Sequence, residues 1–268
     1  MRGLLLLIPL LAPPVGDDTT RKEADEAERL CAAELPRWTL TADGMPLDAP
    51  KESVLKWTNP DAGRVYGNTY VWLRAGRPAA VTCLFRIFDP WRSFNGEWAA
   101  LTGTKLEARR NDTVAWRPKG EWTWKAVPGA PAPAATAAQR LAQMRALAET
   151  FAVEVLDTRH TPKGENQTPR LLAKPLYRYN PDQTRSLDGS LFAFVLGTDP
   201  EMLLLVECDT AAAKPEWRFG AARMNRDAVR LKRHGATVWE VEANFGTQTP
   251  EDPYIFLDLG LPRKESKP

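Results

Sequence analysis

The chain has 268 residues, of which 43% are apolar and 26% are charged, and its formal net charge is +2. This composition is that of a folded globular protein, and it excludes a disordered or fibrous one. Because the charges are nearly balanced and interspersed, the sequence shows no electrostatic footprint for nucleic acid or for an anionic membrane.

The first sixteen residues have the pattern of a secretory signal peptide. Arg2 precedes an apolar run from Leu4 to Leu11, and small or helix-breaking residues follow. Such a run is too short for a permanent membrane span. We therefore expect cleavage of residues 1–16 and export to the periplasm or the extracellular space; an uncleaved tether is the alternative. Cleavage would leave a net charge of +1, since it removes Arg2 alone.

The segment 17–127 predicts a helix followed by β-structure. Thr20 and Glu23 have the spacing of a capping box, and the helix should end near Leu35, before Pro36. The connections that follow are short and rich in Gly, Pro, Asn and Asp, which favours an antiparallel meander. The expected strands are 53–58, 69–74, 80–88, 97–102, 105–109, 114–117 and 121–126.

A linker and a second helix follow. Residues 128–135 are dense in Pro and Ala and predict an extended linker. Thr136 and Gln139 form a second capping box, and the helix that it opens has a one-sided apolar stripe that is more typical of a core than of a cofactor surface. That stripe consists of Leu141, Met144, Leu147 and Phe151.

The rest of the chain predicts β-structure again, after a polar loop over 158–169. The expected strands are 170–179, 191–196, 202–208, 217–224, 228–232 and 237–241. The segment 247–268 should contain one last strand over 254–259 and a disordered end over 262–268.

The stretches 54–87 and 176–209 can be laid over each other without a gap. The overlay brings Trp57 onto Tyr179 and Gly67 onto Gly189, in the same order of aromatic strand, turn and apolar strand. This order predicts an internal repeat. We therefore predict an α+β fold made of two similar units, 17–127 and 136–246, each with an N-terminal helix packed on an antiparallel curved β-sheet. One continuous sheet with merely similar strands is the alternative.

Cysteine and histidine are too scarce and scattered to predict a metal centre or a cofactor, so we expect none. The three cysteines are Cys31, Cys83 and Cys208, and export permits a disulfide between any two of them. Cys83 and Cys208 lie in apolar runs, which favours buried free thiols at these two positions.

The loop 89–96 is the candidate binding segment. It places Trp91 and Phe94 in a hairpin connection, where a core cannot easily hold both, and Trp98 follows on the next strand. Exposed aromatic rings suit sugar rings or an extended peptide. We therefore name Trp91, Phe94 and Trp98 as candidate ligand-binding residues; packing over the open end of the sheet is the alternative.

No catalytic residue can be named from the sequence. The chain has no G-x-S-x-G elbow and no nucleotide-binding glycine motif, and no cysteine spacing argues for a partner among its two histidines, His160 and His234. A glycosidase with two carboxylates would leave no local motif, so an enzyme of that kind stays open.

Several long stretches resemble a family of secreted planctomycete proteins that have no assigned function. They are GNTYVWLRAGRPAAVTCLFRIFDPW, APAPAATAAQRLAQMRALAETF, RLLAKPLYRY and DGSLFAFVLGTDPEMLLLVE. The resemblance covers nearly the whole chain after residue 16, and it implies an exported or envelope setting but no reaction and no ligand.

The combined expectation is a non-enzymatic exported binding or structural protein of the cell envelope. Its partner would be an unknown small ligand, a glycan or an envelope protein, with no nucleic acid and no stable membrane span. The alternative is an envelope hydrolase whose acid and base the sequence does not locate.

Overall fold

The structure is a computed structural model that describes residues 18–157, 165–179, 187–209, 213–246 and 248–261. The predicted signal peptide therefore lies outside the described residues, as do residues 158–164 of the predicted polar loop and the predicted disordered end over 262–268.

The described chain is mostly β. Its helical elements are α1 (Asp18–Glu34), α2 (Ala137–Ala148) and the 3-10 turns Leu35–Arg37 and Pro60–Ala62. The strands up to the linker are β1 (Trp38–Ala42), β2 (Met45–Pro46), β3 (Leu55–Thr58), β4 (Arg64–Arg74), β5 (Arg77–Asp89), β6 (Ser93–Ala100), β7 (Leu106–Arg110), β8 (Thr113–Trp116) and β9 (Lys125–Ala126). Those after it are β10 (Phe151–Asp157), β11 (Glu165–Gln167), β12 (Arg170–Leu171), β13 (Tyr177–Tyr179), β14 (Leu187–Leu196), β15 (Asp199–Asp209), β16 (Trp217–Arg223), β17 (Ala228–Arg233), β18 (Ala236–Val241) and β19 (Tyr254–Asp258).

These strands form four antiparallel sheets in a stack. The first outer sheet has the order β2-β1-β7-β8, and the first inner sheet has the order β19-β6-β5-β4-β3. The second inner sheet has the order β12-β14-β15-β16-β9, with β13 also on β14, and the second outer sheet has the order β11-β10-β17-β18. The two inner sheets face each other across the inner core, which includes Val81, Phe85, Leu203 and Leu205.

Each inner sheet is covered on its other face as well. Trp72, Trp98 and Leu84 of the first inner sheet pack against the first outer sheet and α1. Phe192, Leu204 and their neighbours pack in the same way against the second outer sheet and α2. Burial on both faces explains why the middle of β5 is buried without alternation, as a strand covered on two sides requires.

The predicted fold class, α+β with two units of one helix on one curved sheet, is wrong. The described residues form four sheets, and α1, with 17 residues, is the only long helix among them. A helix of that length spans about 25 Å, whereas β5 with 13 residues extends over about 40 Å. A single helix therefore cannot cover the outer face of an inner sheet, and a second sheet completes the cover.

The error comes from strands that follow the two helices. β1 pairs with β7 of the β7–β8 hairpin, and β10 pairs with β17 of the β17–β18 hairpin. Each of the two strands therefore forms an outer sheet with a hairpin that lies far along the chain. Neither β1 nor β10 is among the expected strands. The predicted strand 121–126 is also wrong, since only Lys125–Ala126 is β-structure there.

Of the two predicted helix caps, one is confirmed and the other is wrong. Thr136 caps α2 as predicted, because its side chain accepts a hydrogen bond from the Gln139 backbone N–H at 3.3 Å. Thr20 lies inside α1 instead of capping it.

All three cysteines are buried and free, which settles the open question of a disulfide. No helix among the described residues is long and apolar enough to cross a membrane.

Candidate functional site

A cavity of about 210 Å³ lies at one end of the inner core, where both inner sheets and the second outer sheet meet. We call it the acidic cavity. Its lining includes Trp57, Phe85, Glu97, Asp199, Glu201 and Asn225, so both halves of the chain contribute to it.

The first residues of β15 supply two of the carboxylates. Asp199 and Glu201 both line the cavity, and Leu203 and Leu205 of the same strand lie in the inner core. The pairing of β14 with β15 shifts register at Glu201, so this residue is an extra one in the ladder. Glu97 of β6 lines the cavity as well. Glu97 and Glu201 are buried, and Asp199 is partly accessible where it faces the cavity. The end of an apolar sheet interface is therefore acidic.

The turn between β14 and β15 holds Asp199 in place. Gly197 has a φ of 57°, and Thr198 docks on Thr58: its backbone N–H donates to the Thr58 carbonyl at 3.0 Å, and its Oγ1 accepts from the Thr58 N–H at 2.9 Å. A Cβ at position 197 would lie 2.9 Å from that same carbonyl, so a glycine fits this close approach. Asn59 Nδ2 then donates to Asp199 Oδ2 at 3.2 Å.

The electrostatic environment favours the protonated form of Asp199. Burial first, and then the negative charges of Glu201 and Glu97, raise the pKa of Asp199 well above its ordinary value. The hydrogen bond from Asn59 opposes this shift and does not cancel it. Asp199 is thus a carboxyl that keeps its proton to higher pH than an exposed aspartate does.

Hydrogen bonds fix the neighbouring groups. Tyr254 of β19 donates its hydroxyl to Glu97 Oε1 at 2.8 Å, and burial, helped by the charge of Glu97, raises the pKa of Tyr254 well above its usual value. Asn225 Nδ2 donates to Glu201 Oε2 at 2.7 Å. Arg223 steadies the connection before β17 by donating to the carbonyls of Asn225, at 2.8 Å, and of Asp227.

Aromatic rings form the apolar wall. The ring centroids of Trp57 and Phe85 are 5.4 Å apart, and those of Phe85 and Phe256 are 5.9 Å apart. Trp91 also lines the cavity and is 62% exposed, so the cavity reaches the surface beside this ring. The site therefore joins carboxylates, carboxamides and flat apolar surfaces within a small volume.

The sequence-predicted binding residues separate into two groups. Trp91 lines the acidic cavity. Phe94 and Trp98 are buried on the opposite face of β6, in the core beneath the first outer sheet, where the rings of Trp98 and Trp38 lie 4.2 Å apart. Their neighbour Glu97, which the sequence reasoning passed over, is the residue of β6 that faces the cavity.

The missed residues left a signal in the sequence. Glu97, Asp199 and Glu201 are carboxylates within otherwise apolar strands, and a charged residue in such a run is informative because burial of a charge is costly. Glu97 opened the expected strand 97–102, whereas Asp199 and Glu201 lay just before the expected strand 202–208. The strand pattern did not indicate that β6 and β15 bring them to one place.

Comparisons with protein-family models, with curated proteins and with solved structures found no match for this chain. The function must therefore be argued from the chemistry of the cavity itself. An acidic, aromatic cavity can bind a ligand that donates hydrogen bonds, and a protonated carboxyl beside carboxylates can also exchange a proton with a ligand.

Proposed function

We propose that the protein is a non-enzymatic exported binding protein that holds a small ligand in the acidic cavity. The observation that carries this proposal is the convergence of carboxylates, carboxamides and aromatic rings from both halves of the chain on one cavity of about 210 Å³. The exported setting rests on residues 1–16 and on the resemblance to secreted planctomycete proteins.

The lining limits the ligand. The polar side chains around Asp199 are rich in hydrogen-bond acceptors, so a ligand that donates hydrogen bonds is favoured over an anion. A volume of about 210 Å³ suits a molecule the size of a monosaccharide or an amine. Trp91 offers an exposed flat ring at the entrance, which suits stacking on a sugar or on a cationic group.

A thermal-shift screen tests this proposal. The protein without residues 1–16 is heated with sugars, amines, amino acids, peptides and metal salts. A ligand at about 100 times its Kd stabilises the folded state by about 2.7 kcal/mol, which raises Tm by roughly 5 °C or more. A flat response to every compound would contradict binding in the cavity.

A pair of variants localises any binding. Trp91→Ala should weaken the ligand's effect on Tm without lowering the Tm of the free protein, because the ring is mostly exposed. Met45→Ala is the control, since Met45 is 65% exposed and does not line the cavity. Equal ligand responses in the two variants would place the ligand elsewhere.

An envelope hydrolase is the second candidate, and the raised pKa of Asp199 favours it. A carboxyl that stays protonated beside two carboxylates is the arrangement that general acid catalysis requires. If the cavity is catalytic, the protein should cleave chromogenic glycosides or peptides, and Asp199→Asn should lower kcat about 10²- to 10⁴-fold. Wild-type protein that cleaves none of these substrates would remove this alternative.

A further inference from the structure

An exposed aromatic ring lies at the entrance of the acidic cavity. Trp91 lines the cavity and is 62% exposed. Among the described residues, the other exposed large apolar side chains are Met45 and Leu261, and neither lines the cavity. A flat ring that is open to solvent on a cavity wall is a surface on which a ligand with an apolar face can stack.

The lining also combines hydrogen-bond donors with acceptors. Arg226 brings the N–H groups of a guanidinium, Asp61 brings the oxygens of a carboxyl group, and Gln167 has a carboxamide that can both donate and accept. All three residues are exposed or partly exposed. A ligand whose groups both donate and accept matches such a lining better than a ligand that only donates or only accepts.

Asp199 offers an open oxygen in the same cavity. Its Oδ2 accepts from Asn59 Nδ2 at 3.2 Å, and its Oδ1 has no hydrogen-bond partner among the described residues. This Oδ1 is not one of their fully buried polar atoms without a partner, so it keeps accessible surface on a residue that lines the cavity. Asn59 is itself fixed, since its Oδ1 accepts from the Ala62 N–H at 3.3 Å. A positioned oxygen is therefore available to a ligand.

The protonation of Asp199 bears on the charge of that ligand. Burial first, and then the charges of Glu201 and Glu97, raise the pKa of Asp199 well above its ordinary value. A protonated carboxyl can donate one hydrogen bond and accept others, as a hydroxyl group can. It has no charge for a cation to balance, whereas it can both donate to and accept from a neutral ligand that carries hydroxyl groups.

We propose that the acidic cavity binds a neutral sugar in its pyranose form. The apolar face of the sugar ring stacks on Trp91, and its hydroxyl groups form hydrogen bonds with Asp199, Asp61 and Arg226. A cavity of about 210 Å³ suits one sugar residue. This inference rests on the proposed binding function and narrows it to one chemical class.

Calorimetric titration of the protein without residues 1–16 tests the class of ligand. Glucose, galactose, mannose and N-acetylglucosamine are titrated as free sugars and as the end residues of disaccharides, which distinguishes a free sugar from the end of a glycan. We expect at least one of these compounds to bind with a Kd of about 1 mM or below. If none binds while another compound of the thermal-shift screen does, the sugar inference is overturned and the binding function stands. If the screen is flat as well, both are overturned.

A charged analogue separates recognition of hydroxyl groups from recognition of charge. Glucosamine carries an ammonium group where glucose has a hydroxyl group, and we expect it to bind no more tightly than glucose. An affinity of glucosamine about tenfold or more above that of glucose, a difference of about 1.4 kcal/mol, would mean that charge governs binding and would overturn the inference.

Two substitutions at the entrance test the stacking. Trp91→Phe keeps a flat ring and should retain most of the affinity for the sugar. Trp91→Leu keeps an apolar side chain without a ring and should weaken sugar binding about 3- to 10-fold. Both variants should keep the Tm of the wild type, because the side chain is mostly exposed. Equal affinities of the two variants would exclude stacking on Trp91.

Two exposed carboxyl groups form a matched pair that tests the polar contacts. Asp61→Ala removes a carboxyl group of the lining and should weaken sugar binding about 3- to 10-fold, as the loss of a hydrogen bond implies. Glu240→Ala removes the carboxyl group that pairs with Arg230 on the second outer sheet, and it should leave the affinity unchanged. Equal affinities of these two variants would exclude this wall of the cavity as the sugar site.

Discussion

At the scale of single residues, environment decides what a buried carboxylate does. Asp199 and Glu207 lie near the two ends of β15. Glu207 is surrounded by Arg77, Arg218 and Tyr179, whereas Asp199 faces a cavity together with other acids. The second arrangement raises the pKa of Asp199 and makes its ionisation unfavourable to the fold.

The raised pKa of Asp199 predicts a pH-dependent stability. A carboxyl whose pKa is higher in the folded than in the unfolded state stabilises the protein below its unfolded pKa, near 3.9, and this contribution is lost as pH rises towards the folded pKa. The Asp199→Asn variant does not undergo that loss. Its free energy of unfolding should therefore increase relative to that of the wild type as pH rises from acid to neutral. Urea unfolding followed by tryptophan fluorescence measures the difference.

An aspartate with the opposite shift is the control. The backbone N–H of Lys105, first, and then the Arg74 side chain lower the pKa of Asp43 by donating hydrogen bonds at 3.1 and 2.8 Å. Its contribution to stability is present above the unfolded pKa and is lost as pH falls. The free energy of unfolding of Asp43→Asn should consequently decrease relative to that of the wild type as pH rises. The same trend in both variants would mean that the environment of Asp199 is misjudged.

At the scale of elements, one cross-strand pair recurs in the two inner sheets. Trp57 of β3 lies opposite Gly67 of β4, and Tyr179 of β13 lies opposite Gly189 of β14. A Cβ at Gly67 or Gly189 would lie 2.3 Å from the facing ring. In each case the glycine has no side chain, and an aromatic ring of the neighbouring strand occupies the space above it. These are the positions that the overlay of 54–87 on 176–209 brings together, and the internal repeat itself stays a prediction.

Gly67→Ala should destabilise the protein, because the new methyl would meet the Trp57 ring at 2.3 Å and the Phe85 Cβ at 2.8 Å. Overpacking of this kind costs about 1–3 kcal/mol of unfolding free energy. Gly246→Ala is the matched control, since a Cβ there meets nothing within 4 Å, and it should change stability by less than about 0.5 kcal/mol. Chemical denaturation of both variants measures the difference, and equal costs would contradict the packing argument.

At the scale of the whole molecule, the two halves complete each other. β9 precedes the linker and pairs with β16 of the second inner sheet, and the C-terminal β19 pairs with β6 of the first. The inner core contains residues of both inner sheets. The cavity arises at the end of this shared core, so a ligand bound there would touch both halves.

The shared core predicts that the units 17–127 and 136–246 do not fold separately. Each fragment would expose an apolar sheet face, with Val81 and Phe85 on one and Leu203 and Leu205 on the other. Neither fragment should show cooperative thermal unfolding or the near-UV circular dichroism of the full chain. A fragment that unfolds cooperatively as a soluble monomer would contradict this expectation and would support independent domains at the predicted boundaries.

Much of the local structure could be predicted because its causes are local. The cap at Thr136 depends on residues within one turn of α2. In the turns between β4 and β5 and between β7 and β8, Gly76, Asn111 and Asp112 have positive φ angles, which those residue types favour or tolerate. Apolar runs likewise located the buried parts of β5 and β15. In each case the interacting groups lie close together in the chain.

The tertiary structure alone decided the number of sheets and the position of the site. Nothing local in β1 or β10 indicates that their partners are β7 and β17, because strand pairing depends on groups far apart in the chain. Glu97 and Asp199 are likewise separate charges in the sequence. They form one site only because the inner sheets pack face to face, and packing then sets both their proximity and the loss of water that raises the pKa of Asp199.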